Sequence, residues 1–300
     1  MVQTTCRTRQ RAGYGQACWL VFILLVMTGC AGGTQRQQAA WPGAISSRDL
    51  VGHGCAEQAA ALALVEESGG AIVPVDRNRF FLAWFPPGWE RRPDRRLVVS
   101  LHGKGGCAER MFAFWHRNTP LHDFAFLALQ YAETGTDNRL RFDSSQEVYS
   151  LLAKSLDLVA ARYPLDGVPV VLHGFSKGSA MVFELAAMDR APDGRGLFRA
   201  FIADSGTVFP DHQGRLSPLL QALEPTGYAG ARFWLYCGTR DHNGQTCRGM
   251  NRMDRYVRSH GGRVDALYQY QGGGHGIFIT GGPRRHSDAL EAMFSYIRTI

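Results

Sequence analysis

The residues able to do chemistry in this chain are one serine, one histidine and a choice of carboxylates. Ser176 lies in His173-Gly174-Phe175-Ser176-Lys177-Gly178, a G-x-S-x-G run preceded by the apolar stretch Val168-Pro-Val-Val-Leu172. Between a strand and a helix, this motif holds a serine on a very tight turn. Side chains at the two flanking positions would strike the neighbouring strand and helix, hence Gly174 and Gly178. The turn presents Ser176 at a helix N-terminus, whose dipole favours a developing anion. A serine hydroxyl is a weak nucleophile and needs a base, itself oriented by an acid. His275, in Gly272-Gly-Gly-His275-Gly276, sits in a loop free of bulky neighbours and is the expected base. Asp241, closing Gly238-Thr-Arg-Asp241 after the apolar run Phe233–Tyr236, is the expected acid. Asp204, at the end of an earlier apolar run, is its rival. His242, beside the acid, and His286, at a helix start, are poorer bases. A third loop, Leu101-His102-Gly103-Lys104-Gly105-Gly106, carries glycines that let backbone N–H groups approach an oxyanion. The expected donors are the N–H groups of Lys104 and Lys177. As a phosphate loop it lacks the G-x-x-x-x-G-K-[ST] spacing.

These loops need strands to carry them, and the sequence alternates strand and helix signals. Strands are expected at 79–85, 97–101, 124–130, 168–172, 201–203, 233–236 and 264–270. Ser144 and Glu147 form a capping-box pattern ahead of Val148, Leu151, Leu152, Leu156, Val159 and Tyr163, a helix ended by Pro164. Further helices are expected from about Ser179 to Met188, around Met250, Met253 and Val257, and from near Ser287. Strands separated by helices imply a mostly parallel sheet with helices on both faces. Only Thr207–Gly230 offers room for a cap, and a short one.

Three hundred residues, 45% hydrophobic and 20% charged, make an ordinary globular composition and exclude a wholly disordered chain. A single apolar run excludes a polytopic membrane protein. Arg7, Arg9 and Arg11 account for three of the net +7, so the rest carries only +4. With no run of Lys or Arg, nucleic acid is not an expected partner. Those arginines precede the apolar stretch Trp19–Met27 and then Thr28-Gly29-Cys30, the pattern of a signal for export. We therefore expect a signal peptide at 1–29, a flexible tether at 30–50 and one catalytic domain at 51–300. Export into an oxidising compartment leaves Cys55, Cys107, Cys237 and Cys247, which allow three pairings. The short separation favours Cys237 with Cys247, leaving Cys55 with Cys107. No CxxC or HExxH occurs, so no metal is expected.

Phe81-Leu-Ala-Trp-Phe-Pro-Pro-Gly88, Leu101-His-Gly103, Tyr163-Pro-Leu-Asp166, Gly174–Gly178, Gly238–Asp241 and Gly274-His275-Gly276 together resemble the α/β-hydrolase superfamily. Within it they are similar to secreted esterases of the feruloyl-esterase and polyhydroxybutyrate-depolymerase type, over about residues 75–299. Lys177 departs from that group, which more often has a smaller or neutral residue there. Thr-Gly-Cys30 resembles a bacterial lipoprotein processing site, although Met27 stands where leucine is usual. The resemblance implies an α/β-hydrolase fold and an exported, lipid-anchored serine esterase working through Ser176, Asp241 and His275 without a cofactor. It also implies ester substrates, bulky or polymeric ones if the cap is short. A serine peptidase of the same fold and a non-catalytic envelope lipoprotein are the rival readings.

Overall fold

Apolar runs rich in Val, Leu, Ile and Phe form strands that are buried on both faces, and this dictates a central sheet with helices on either side. The computed structural model describes residues 41, 43–46, 58–76, 79–105, 107–118, 124–134, 140–210, 212–276 and 287–300. They belong to a compact unit, Ala39–Ile300. The expected signal peptide, Cys30, Cys55, His286 and most of the tether lie outside the described residues.

The strands are β1 (Ala71–Asp76), β2 (Arg79–Trp84), β3 (Leu97–Leu101), β4 (Ala125–Gln130), β5 (Ala132–Thr134), β6 (Leu140–Phe142), β7 (Val170–Phe175), β8 (Ala200–Asp204), β9 (Arg232–Gly238) and β10 (Arg263–Tyr270). Eight of them form one sheet in the order β1-β2-β4-β3-β7-β8-β9-β10, and β5 and β6 pair separately. β1, β2 and β4 pair antiparallel; from β4 through β3 to β10 every pairing is parallel. Helices α1 (Gln58–Glu67), α2 (Ala108–Asn118) and α7 (Ser287–Arg298) bury Val65, Met111, Trp115 and Phe294 against one face. On the other, α3 (Ser145–Ala160), α4 (Lys177–Arg190) and α6 (Gln245–Ser259) bury Leu152, Val182 and Met250. The short α5 (Pro218–Gln221) lies in the segment expected to form the cap. This is the expected mostly parallel sheet with two helical layers.

Several boundaries differ from the sequence reading. β7 runs on through His173 and Gly174 to Phe175, because β3 and β8 pair with it along that length. α4 starts at Lys177, directly after the serine, rather than near Ser179. α3 has the capping box but stops at Ala160, before Tyr163. Tyr163 instead stacks on Phe85 with ring centroids 4.2 Å apart, a tertiary contact that outweighs one more helical turn. α1, β1, α2 and the β5–β6 pair were not anticipated.

Candidate active site

Parallel strands all end at the same edge of the sheet, so the loops after β3, β7, β9 and β10 converge there. Ser176 follows β7 with φ 54° and ψ −111°, a conformation rare for any residue with a Cβ. Its strain is held from several sides. The Ser176 N–H donates to the Asp204 carbonyl at 2.8 Å, and its carbonyl accepts from the Ala180 N–H at 3.0 Å. A Cβ on Gly174 would lie 2.3 Å from the Gly178 carbonyl oxygen, and one on Gly178 would lie 2.7 Å from that of Leu101. The two glycines therefore serve the purpose the motif assigns them.

His275 Nε2 lies 2.9 Å from Ser176 Oγ. The other ring nitrogen, Nδ1, lies 3.0 Å from each oxygen of Asp241. The two residues come from neighbouring strand ends that are fastened together. Arg240 N–H donates to the Gly273 carbonyl at 2.8 Å, and Gly272 N–H donates to Thr239 Oγ1 at 2.8 Å. Cys237, near the end of β9, is disulfide-bonded to Cys247 in the first turn of α6, closing the loop that contains Asp241. Cys107 is disulfide-bonded as well, while Cys55, its expected partner, is outside the described residues.

Asp241 is 1% exposed, whereas the His275 side chain is 38% exposed, so the acid is dry and the base faces solvent. The Asp241 hydrogen bond raises the His275 pKa above the ordinary 6.5. Partial burial opposes this, and the charges of Asp241 and Asp204 add to it. The rival carboxylate, Asp204, is fully buried, and its nearest imidazole is that of His173, with Nε2 at 3.8 Å. Burial pushes the Asp204 carboxyl above the usual carboxylate range, more than its interaction with His173 lowers it.

Gly103 packs against the serine, so close that a Cβ there would lie 2.9 Å from Ser176 Cβ. The loop is held by His102, whose Nδ1–H donates to the Gly103 carbonyl at 2.9 Å. Burial lowers the His102 pKa to about 4, which keeps that ring neutral. Lys104 follows on the exposed side of the turn. Lys177 opens α4, where its N–H has no carbonyl within the helix to bond. Its ammonium sits 4.9 Å over the ring of Phe142, an attraction of cation to π-face.

From Lys177 a cavity of about 600 Å³ extends between α4 and the cap segment, past Met181, Glu184, Thr207, Phe209 and Leu219. Ser176 is not one of its walls, although its chain neighbour is. Sequence patterns gave no signal for these wall residues, because a cavity is a property of packing between distant segments. Together, the serine, imidazole and carboxylate can pass a proton from Oγ to Nε2 while the carboxylate steadies the resulting cation.

No family model and no curated protein matches the chain. Solved structures similar to it include a hyperthermophilic esterase from the archaeon Pyrobaculum calidifontis, 15% identical over 80% of this chain and 90% of that one, TM-score 0.53. A fungal esterase from Rhizomucor miehei is 12% identical over 77% and 82%, TM-score 0.55. Esterase 2 of Thermogutta terrifontis is 17% identical over 76% and 92%, TM-score 0.53. At these identities the likeness is one of fold.

Proposed function

We propose that this chain, which has the α/β-hydrolase fold, is a serine hydrolase of carboxylic esters. The observation that carries the reading is the continuous contact from Ser176 Oγ through both ring nitrogens of His275 to the buried Asp241 carboxylate. Ser176 attacks the ester carbonyl carbon while His275 Nε2 takes its proton. Asp241 keeps the ring proton on Nδ1 and stabilises the imidazolium. The N–H groups of Lys104 and Lys177 receive the oxyanion. His275 then gives its proton to the departing alcohol, leaving an acyl group on Ser176. Water repeats the sequence and releases the acid. A fluorophosphonate probe should label the protein once, on Ser176. A mature protein left unlabelled while a control serine hydrolase reacts would end the reading.

The pH dependence follows from the raised His275 pKa. The base works only when neutral, so kcat/KM falls as pH drops through the pKa of His275 in the free enzyme. Because Asp241 favours the imidazolium, that acid limb should lie above 6.5. An initial-rate profile on a neutral ester, with a limb at or below 6.5, would contradict the assigned pair.

The disulfide around Asp241 yields another expectation. Cys237→Ser with Cys247→Ser removes loop closure in the unfolded chain, worth about 2–3 kcal/mol. It also frees the loop that fixes the acid. Misplacement of a catalytic group by about 1 Å costs on the order of 10²-fold. The double variant should therefore lose about 10- to 100-fold in kcat at temperatures well below its Tm. Unchanged kcat with a lowered Tm would show the crosslink to be structural only.

Within the fold we read the chain as an exported esterase of the feruloyl-esterase and polyhydroxybutyrate-depolymerase type, acylated on Cys30. The motif set across residues 75–299, the Thr-Gly-Cys30 sequence and the four-residue α5 in the cap segment support this. So small a cap leaves room for a bulky or polymeric ester, and Phe209 at its edge is exposed. The protein is then held at a membrane of the cell envelope by lipid on its first mature residue. Mass spectrometry of the mature N-terminus tests the anchor, and comparison of soluble and polymeric esters tests the substrate.

A further inference from the structure

His242 takes no part in the proton path above, yet its ring stands beside it. The His242 and His275 ring centroids are 5.0 Å apart, and His242 Nε2 lies 3.7 Å from Asp241 Oδ1. One donor atom from each of Asp241, His242 and His275 lies within 4.8 Å of the other two. His242 holds this place through an unusual backbone. It and Asn243 both have positive φ, 43° and 55°, inside the loop closed by the Cys237–Cys247 disulfide. We propose that Asp241, His242 and His275 form an inhibitory site for a divalent transition-metal ion of the Zn²⁺ class.

The carboxylate–imidazole distances and the donor chemistry both fit. Two ligands bound at about 2.0–2.1 Å to a tetrahedral ion stand about 3.3 Å apart. The carboxylate–imidazole spacings of 3.0 and 3.7 Å bracket that value. Two imidazoles and one carboxylate suit Zn²⁺, Co²⁺ or Cu²⁺ and are too few and too nitrogen-rich for Mg²⁺ or Ca²⁺. An approach is open, since the His242 side chain is 62% exposed and that of His275 38%. The fourth position remains for water, as in sites with three protein ligands.

The ion would act on the base by choosing its tautomer. In the free protein the Nδ1 proton of His275 points at Asp241 and Nε2 accepts from Ser176. An ion bonded to Nδ1 takes the place of that proton. The neutral ring then carries its one proton on Nε2, supplied by exchange with solvent, so no net proton is gained or lost. Nε2–H now donates toward Ser176 Oγ and cannot take the hydroxyl proton. Asp241, bonded to the same ion, is lost as the orienting acid. The ion thus converts the base into a donor without occupying the cavity beside Lys177.

Inhibition rests on the proposed role of His275, whereas metal binding does not, and the experiment separates the two. The full chain, free of any polyhistidine tag and stripped with chelator, is titrated with Zn²⁺ during ester hydrolysis, and each variant is compared with its own metal-free rate. Zn²⁺ should lower kcat reversibly, with Mg²⁺ ineffective and chelator restoring the rate. His242→Asn, which keeps a residue tolerant of positive φ, should raise the half-inhibitory Zn²⁺ concentration by at least about tenfold. In parallel, Ser176→Ala protein is titrated with Co²⁺. One equivalent should give the visible absorption of a tetrahedral nitrogen–oxygen site, weakened at least about tenfold when His242→Asn is added. Absence of stoichiometric Co²⁺ binding, or binding indifferent to His242→Asn, overturns the site. Co²⁺ bound in the Ser176→Ala protein while the wild type hydrolyses no ester would uphold the site and overturn the esterase reading instead.

Discussion

Ser176→Ala should abolish hydrolysis of a small aryl ester, lowering kcat by on the order of 10³-fold or more. The substitution deletes one oxygen, and its hydrogen bond to His275 Nε2 lies at the surface rather than in the core. The strained elbow persists, because it is built from the packing of Gly174, Gly178 and Gly103 and from the backbone bonds to Asp204 and Ala180. Folding should therefore be almost unaffected, with Tm within a few degrees of the parent protein. Circular dichroism with initial rates makes the comparison, and retention of most activity would remove Ser176 from the mechanism. Residual turnover above the uncatalysed rate is expected from the oxyanion donors alone.

The second large effect separates the two carboxylates. Asp241→Asn keeps size and shape but replaces the acceptor of the His275 Nδ1–H with an amide, which favours the wrong tautomer and no longer supports the imidazolium. A loss on the order of 10⁴-fold in kcat is expected by analogy with the serine-protease triad. Asp204→Asn should cost less than about tenfold, since it removes no direct partner of the His275 ring. Asp204 faces His173, and burial already favours its neutral form, which an amide resembles. The reverse ranking would transfer the acid role to Asp204 and leave Asp241 as a loop residue.

The contrast between these carboxylates shows what was legible in the sequence. Ser176 and His275 stood out because their glycine neighbours encode a backbone requirement that is local. Asp241 and Asp204 each end an apolar run, and nothing local says which faces the histidine. That depends on the order of strands in the sheet and on the bonds that tie the loop after β9 to the loop after β10. The missing elements have equally specific causes. β1 contains Pro74, which argues against a strand, yet β1 is an edge strand with β2 as its neighbour in the sheet, where a missing N–H is tolerated. α1 reads Gln-Ala-Ala-Ala-Leu-Ala-Leu-Val-Glu-Glu, with small apolar residues around the helix and no clear stripe. α2 does carry a helical stripe, Ala108, Met111, Phe112 and Trp115, which the sequence reading passed over. His242 was weighed only as a base, and its relation to Asp241 and His275 arises from two left-handed residues that no sequence rule requires.

The order of the sheet also has a consequence for when this chain becomes reactive. Synthesis delivers β7 and its serine before β9 and β10, and hence before the acid and the base. On the proposed mechanism, a nascent chain that has formed the elbow still lacks an acceptor for the serine proton, so Oγ is no better a nucleophile than any alcohol. The proposed triad is complete only when β9 has paired with β8 and β10 with β9, bringing Asp241 and His275 to the strand ends. On that mechanism the docking of the last edge is the safety catch of the molecule: until it closes, esters beside the growing chain are out of danger.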